Sequence, residues 1–185
     1  MSLSINEIFS LQNKLSNSYW LNTTILNTKE FDQSVKTYTV EMKKGVILES
    51  NKNCNFNETQ VVIQANFFSK SNALFEFGIN DTDSLKKRVI FTSSIKDLII
   101  NQMHLRIPFS GFPTNKWINL ELDLESSCKY FSPNVNFKSI NYISIAFEGR
   151  LRKICLLKSS LKELILMHNS LPKILQMPVG VDLEN

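Results

Sequence analysis

Glycine is scarce in this chain, with five residues in 185, and no two of them are close in sequence. A phosphate loop, a dinucleotide fingerprint and a nucleophile elbow each need closely spaced glycines, because only that residue lets backbone amides close on a phosphate or turn at positive φ. None of the three motifs is present. Cysteine and histidine are as thin: Cys54, Cys128 and Cys155 form an odd set without a C-x-x-C pair, and His104 and His168 are distant from them in sequence. That pattern signals neither a zinc site nor a disulfide framework, so no metal, no cofactor and a reducing compartment are expected. Only four of the 21 basic residues are arginines, the lysines are scattered, and the isoelectric point is about 8.9. Nucleic-acid binders usually show clustered arginine and a recognisable motif, so no nucleic-acid partner is expected. Long apolar runs are missing too. Nothing approaches the roughly 18 residues needed to span a bilayer, and Met1 to Leu11 shows no basic segment followed by an apolar one, so neither a membrane span nor a secretory leader is expected. The three N-x-S/T sequons, at Asn22, Asn57 and Asn80, are what chance supplies in a chain this rich in Asn, Ser and Thr.

What the chain does have is a period of two. In Trp117-Ile118-Asn119-Leu120-Glu121-Leu122-Asp123-Leu124, Leu120, Leu122 and Leu124 would face a core and Asn119, Glu121 and Asp123 would face water, the pattern of a half-buried antiparallel strand. Ala73-Phe75-Phe77-Ile79, Met103-Leu105-Ile107-Phe109 and Ile143-Ile145-Phe147 read the same way. Weaker strands are expected over Val35 to Met42, Val61 to Phe68, Lys86 to Thr92 and Leu151 to Leu157, with turn-rich segments such as Asn80-Asp81-Thr82-Asp83 between them. Eight or nine short strands with little helix predict a mainly β fold, an antiparallel, jelly-roll-like sandwich.

Helical signals are few. Ser160-x-x-Glu163 has the spacing of a capping box and precedes Leu161, Leu164, Ile165 and His168 on one face, predicting a helix over 160–168. Ser94-x-x-Asp97 predicts a single turn, and Glu125 to Phe131 another after the Trp117 strand. Leu171-Pro172 and Met177-Pro178 forbid continued helix, so 169–185 reads as an extended tail. No repeat or linker divides the chain, and one domain over 1–185, with its core in about 5–158, is expected.

No catalytic constellation emerges. His104 reads as a solvent-facing strand residue and His168 as a complement to a helix C-terminus. Glu121 and Asp123 share one strand face about 7 Å apart, a spacing that a glycosidase pair can use, but nothing near them in sequence desolvates either carboxylate. The basic runs are more suggestive. Lys86-Lys87-Arg88 opens one predicted strand and Arg150-Leu151-Arg152-Lys153 another; Arg150 and Arg152, two apart, would share a face and grip carboxylates on an acidic surface. The same charges would also suit an edge strand that deters aggregation. Trp20, Trp117 and Tyr130 are the candidate stacking platform of a carbohydrate-binding sandwich, although Trp117 reads better as packing at a strand end.

Taken together, Asn115-Lys116-Trp117 running on to Leu124, an insertion reaching Phe131, Ile140 to Phe147, and Gly149-Arg150-Leu151-Arg152-Lys153-Ile154 resemble the signature half of the cilia- and flagella-associated protein 20 domain family. Lys86 to Thr92, Ile95 to Leu98 and His104 to Pro108 are similar to its middle section, and Glu30 to Lys36 to its N-terminal strand, so the resemblance runs from about residue 5 to about 179. It implies a β-sandwich and a non-enzymatic structural protein of the ciliary or flagellar axoneme, in the cytoskeleton. The implied partners are the tubulin lattice of doublet microtubules and neighbouring junction or inner proteins, with no membrane and no small-molecule substrate. The residues expected to meet them are Arg150, Arg152 and Lys153, with Lys86, Lys87 and Arg88. A carbohydrate-binding module is the alternative.

Overall fold

Side chains that alternate apolar and polar can bury one face only if strands pair edge to edge, and here they pair into two sheets. The computed structural model describes residues 5–12, 19–21, 28–51 and 54–177. Its strands are β1 (Ile5–Ser10), β2 (Lys29–Asp32), β3 (Thr37–Met42), β4 (Leu48–Glu49), β5 (Gln60–Phe67), β6 (Leu74–Asp81), β7 (Lys86–Thr92), β8 (Ile99–Ile100), β9 (His104–Pro108), β10 (Trp117–Asp123), β11 (Phe137–Ala146) and β12 (Gly149–Leu157). The first sheet runs β10-β5-β12-β3-β2, with β1 also on β12, and the second runs β4-β11-β6-β7-β9-β8. All eight strands expected from the period of two are present. The additional four are two-residue ladders or segments without a long alternation.

One pair departs from the antiparallel expectation. Strands β7 and β9 are parallel, with Arg88 opposite His104 and Thr92 opposite Pro108, because the chain leaves β7, forms β8 at the outer edge and returns between the two. The turn expected at Ser94 is present at Ser93–Ser94, followed by a bend at Lys96 and Asp97, and it does not extend into a helix. The insertion after β10 does open as a helix, α1 (Leu124–Cys128), where Asp123 caps the Ser126 amide.

The inner faces of the two sheets share the main core, which includes Phe67, Phe75, Ile63, Leu105, Ile143 and Leu151. Phe67 packs on Phe112 and Phe147 with ring centres 4.7 and 4.8 Å apart. Part of the Asn-rich loop also docks: Phe56 and Ile140 exchange both backbone hydrogen bonds, at 3.1 and 2.7 Å.

The outer face of the first sheet is covered by the C-terminal segment. The expected capping box forms, with Ser160 Oγ accepting from the Glu163 amide and the Glu163 carboxylate accepting from the Ser160 amide, and it starts α2 (Leu161–His168). Asn169 then takes φ 55° and ends the helix. The described tail does not trail away: Lys173–Leu175 make one 3₁₀ turn, and Leu175 is buried. Leu164 and Leu175 close over Val62, Cys155 and Leu157, while Met177 closes over Trp117 and Val35. Each buried leucine there contributes about 2 kcal/mol. Asn119 and Glu121 therefore do not face open water as expected. They lie under the returning chain. Pro178 onward lies outside the described residues.

Candidate interaction surface

Strand β12 begins at Gly149 because nothing larger fits. A Cβ there would sit 2.1 Å from the Asn66 carbonyl oxygen of β5 and 3.0 Å from the Phe147 ring. The next residue, Arg150, points to the outer face and finds acids from the neighbouring hairpin, since β12 pairs β3 and β3 pairs β2. Its guanidinium donates to Asp32 Oδ2 at 2.8 Å and lies 3.6 Å from Glu30 Oε2, over the Phe68 ring. Burial works against the charge on Asp32, but hydrogen bonds from Ser34 and Arg150 outweigh it and hold the carboxyl below its ordinary range.

A register shift between Leu151 and Lys153 lets Arg152 and Lys153 both reach the outer face, and both grip the returning C-terminal segment. Arg152 donates to Gln64 Oε1 at 2.5 Å and to the Gln176 carbonyl at 3.2 Å. Lys153 is buried, 2.6 Å from Glu7 Oε2 and 3.3 Å from the Ile174 carbonyl. Gln64, fully buried, completes the latch with a bond to the Leu175 carbonyl at 2.8 Å. The carboxylate and carbonyl partners of this basic run come from the chain itself.

The Lys86-Lys87-Arg88 run splits by face. Lys87 turns inward, 3.7 Å from Asp81 Oδ2, 3.4 Å from the Gln102 carbonyl and over the Phe131 ring. Lys86 and Arg88 point outward and are exposed. Arg88 pairs with Glu76 and lies over Tyr142. They border a shallow groove of about 490 Å³ with Met103, His104 and Tyr142, floored by Gly78. The floor admits no side chain, because a Cβ on Gly78 would lie 2.5 Å from Asn141 Oδ1. Tyr142 donates to Glu49 Oε1 at 2.5 Å, and burial together with that carboxylate pushes its hydroxyl up to about 12. Sequence reasoning did not place His104 or Tyr142 beside this run. The register Arg88↔His104 arises from the parallel pair, which alternation alone does not reveal.

The other candidates serve the fold. Glu121 Oε1 accepts from the Leu161 amide at 2.7 Å and fastens α2 to β10; burial, with Asp123 and Glu163 near, raises its pKa. Asp123 caps α1. His168 sits in the last turn of α2, as expected. Trp117 and Trp20 are buried, donating to Ser34 Oγ and to the Ile8 carbonyl, so the proposed sugar platform loses both tryptophans to the interior. Tyr130 is exposed. The three cysteines are free and buried. Among the described residues no three His, Cys, Asp or Glu side chains group as metal ligands, and no helix is long and apolar enough to cross a membrane.

These features define a two-sheet β protein with one face sealed by its own C-terminal segment and the other left as a polar, partly basic surface. The chain belongs to the CFA20 domain family, whose model matches residues 49–173. This is a family of cilia- and flagella-associated proteins. The match begins at β4 and ends in the 3₁₀ turn, so β1, β2 and β3 precede it, and with them Glu7, Glu30 and Asp32, the partners of Lys153 and Arg150.

Proposed function

We propose that this chain is a non-enzymatic structural protein of the ciliary or flagellar axoneme. It docks on the acidic tubulin lattice of doublet microtubules, at the inner junction or as a microtubule inner protein, and helps to link or stabilise the tubules beside neighbouring junction or inner proteins. Family membership over residues 49–173 is the observation that carries this reading. The exposed cations on the outer face of the second sheet, Lys86 and Arg88, support it, because local positive charge steers a protein to an acidic filament.

The six basic positions contribute unequally. Lys86 and Arg88 are the charges that a carboxylate-rich lattice meets, whereas Arg150, on the opposite sheet, is already paired with Asp32 and Glu30. Arg88 is half exposed while Glu76 is mostly covered, so a tubulin carboxylate would meet the open side of the guanidinium and add to the Glu76 pair without replacing it. Lys87, Arg152 and Lys153 act from behind, holding the 102 loop and the C-terminal segment in place. The double variant Lys86→Glu with Arg88→Gln is expected to weaken co-sedimentation with salt-stripped axonemal doublets about tenfold, with circular dichroism showing the fold retained at the assay temperature, and added salt is expected to weaken the native chain in the same assay. Undiminished binding by the variant removes these two residues from the interface. Failure of the native chain to bind doublets at low salt removes the reading.

A further inference from the structure

The free edge of the second sheet is apolar. Leu98, Ile99, Ile100 and Met103 are 40%, 47%, 45% and 48% exposed, and Ile99 and Ile100 form β8, the outermost strand. Sheet edges are normally protected by a short strand, a lysine, a proline or a bulge that prevents pairing with another chain. Residues 98–100 carry no lysine, proline or bulge, and the shortness of β8 limits the edge to the backbone groups of one or two residues.

The backbone at this edge is oriented for pairing. Ile99 is opposite Arg106 and Ile100 opposite Leu105, and the Asn101 amide donates to the His104 carbonyl at 2.9 Å. Hydrogen-bonded and non-bonded pairs alternate along an antiparallel ladder, so Ile99 bonds inward to β9 while the N–H and C=O of Ile100 point out from the edge. The side chains alternate as well. Ile100 lies on the face of buried Leu105, continuing the core, whereas Ile99 lies on the outer face with Arg106, in front of His104, Arg88 and Lys86.

We propose that the β8 edge receives an extended segment of another protein, in which apolar side chains alternate with carboxylates. Its apolar residues would continue the core past Leu98 and Ile100. Its carboxylates would lie over the outer face, toward Arg106 and His104. Backbone pairing would supply affinity and this alternation specificity, as in other strand additions. A second copy of the chain fits less well: it would bring isoleucine and arginine to the same face, and four half-exposed side chains fall well short of the about 800 Å² per partner that a stable dimer buries. The proposal does not depend on the filament reading, since it rests on the backbone edge of β8, which adjoins the Lys86–Arg88 face, and on a partner of different form.

The test uses the full chain with a short synthetic peptide of alternating valine and glutamate, and its valine–lysine counterpart as control. The valine–glutamate peptide is expected to bind and to slow hydrogen exchange at the Ile100 amide. Arg106→Glu should weaken it about tenfold, and Ile100→Pro should abolish it, because that proline removes only the outward N–H and leaves the β9 ladder whole. Equal binding of the two peptides, binding without protection at Ile100, no binding, or a concentration-dependent self-association that protects Ile100 in the peptide's absence would each overturn the proposal.

Discussion

Lys153 shows what a charge in a sequence does not disclose. Read alone it belongs to a basic run; in the fold it is buried against Glu7, 146 positions away, and it also holds the Ile174 carbonyl. Breaking a buried pair from one side strands the other charge, at a cost of about 3–5 kcal/mol. Lys153→Met should therefore lower the urea unfolding free energy by about 3 kcal/mol, and adding Glu7→Leu should restore much of it. A double-mutant cycle measures the coupling, and additive losses would show that the pair does not act as a unit. Glu121 behaves in the opposite sense. Burial raises its pKa in the folded state, so its favourable contribution is present below the ordinary carboxylate pKa and is lost as pH rises through the raised folded value. Glu121→Gln keeps an acceptor for the Leu161 amide and removes the buried charge. The variant should melt above the parent at pH 7, with the gap closing toward pH 4; a gap that is constant with pH would contradict this assignment. Neither role was legible in the sequence, because both depend on which distant segment lands on the outer face of β12 and β10.

At the scale of elements, the strands with a clear alternation were legible and their surroundings were not. The β10 pattern predicts an inward leucine face, and Leu122 and Leu124 are buried in the core. The same pattern predicts water for Asn119 and Glu121, where the C-terminal segment lies instead, because prolines end a helix without saying where the chain goes next. The capping box at Ser160 was legible because both of its partners are local. The parallel β7–β9 pair was not, since it depends on a detour through two-residue β8. The seal over β12 has a chemical reporter. Cys155 is fully buried beneath Leu164 and Leu175, and burial pushes its thiol up to about 12. Ending the chain after Ser170 removes Leu175 and the carbonyls held by Arg152, Lys153 and Gln64. Cys155 should then react with a disulfide reagent that it resists in the full chain, as one additional thiol counted in the native state. No increase in labelling would mean that α2 alone seals the sheet.

Across the whole molecule, the fold divides its surfaces between two tasks. The first sheet is closed outward by residues 161–177, and the basic strand β12 is largely occupied in closing it. The second sheet leaves its outer face open, with Lys86 and Arg88 beside the groove and Arg106 nearer the β8 edge. Most of the described lysines stay exposed and scattered, so the net charge of +4 matters through where cations cluster, as Lys86, Arg88 and Arg106 do on the outer face of the second sheet. The family was legible as a resemblance carried by segments from Glu30 to Ile154, and its model matches residues 49–173, while the division of charge between interior and surface required the sheet register. The most direct test of the axonemal reading is a cryo-electron map of doublet microtubules isolated from cilia that contain this chain. The account predicts a two-sheet density seated on the tubulin lattice, with the Lys86–Arg88 face of the second sheet against a protofilament. Doublets that lack this density while the chain is present elsewhere in the cilium, or a sandwich bound with that face turned to solvent, would contradict it.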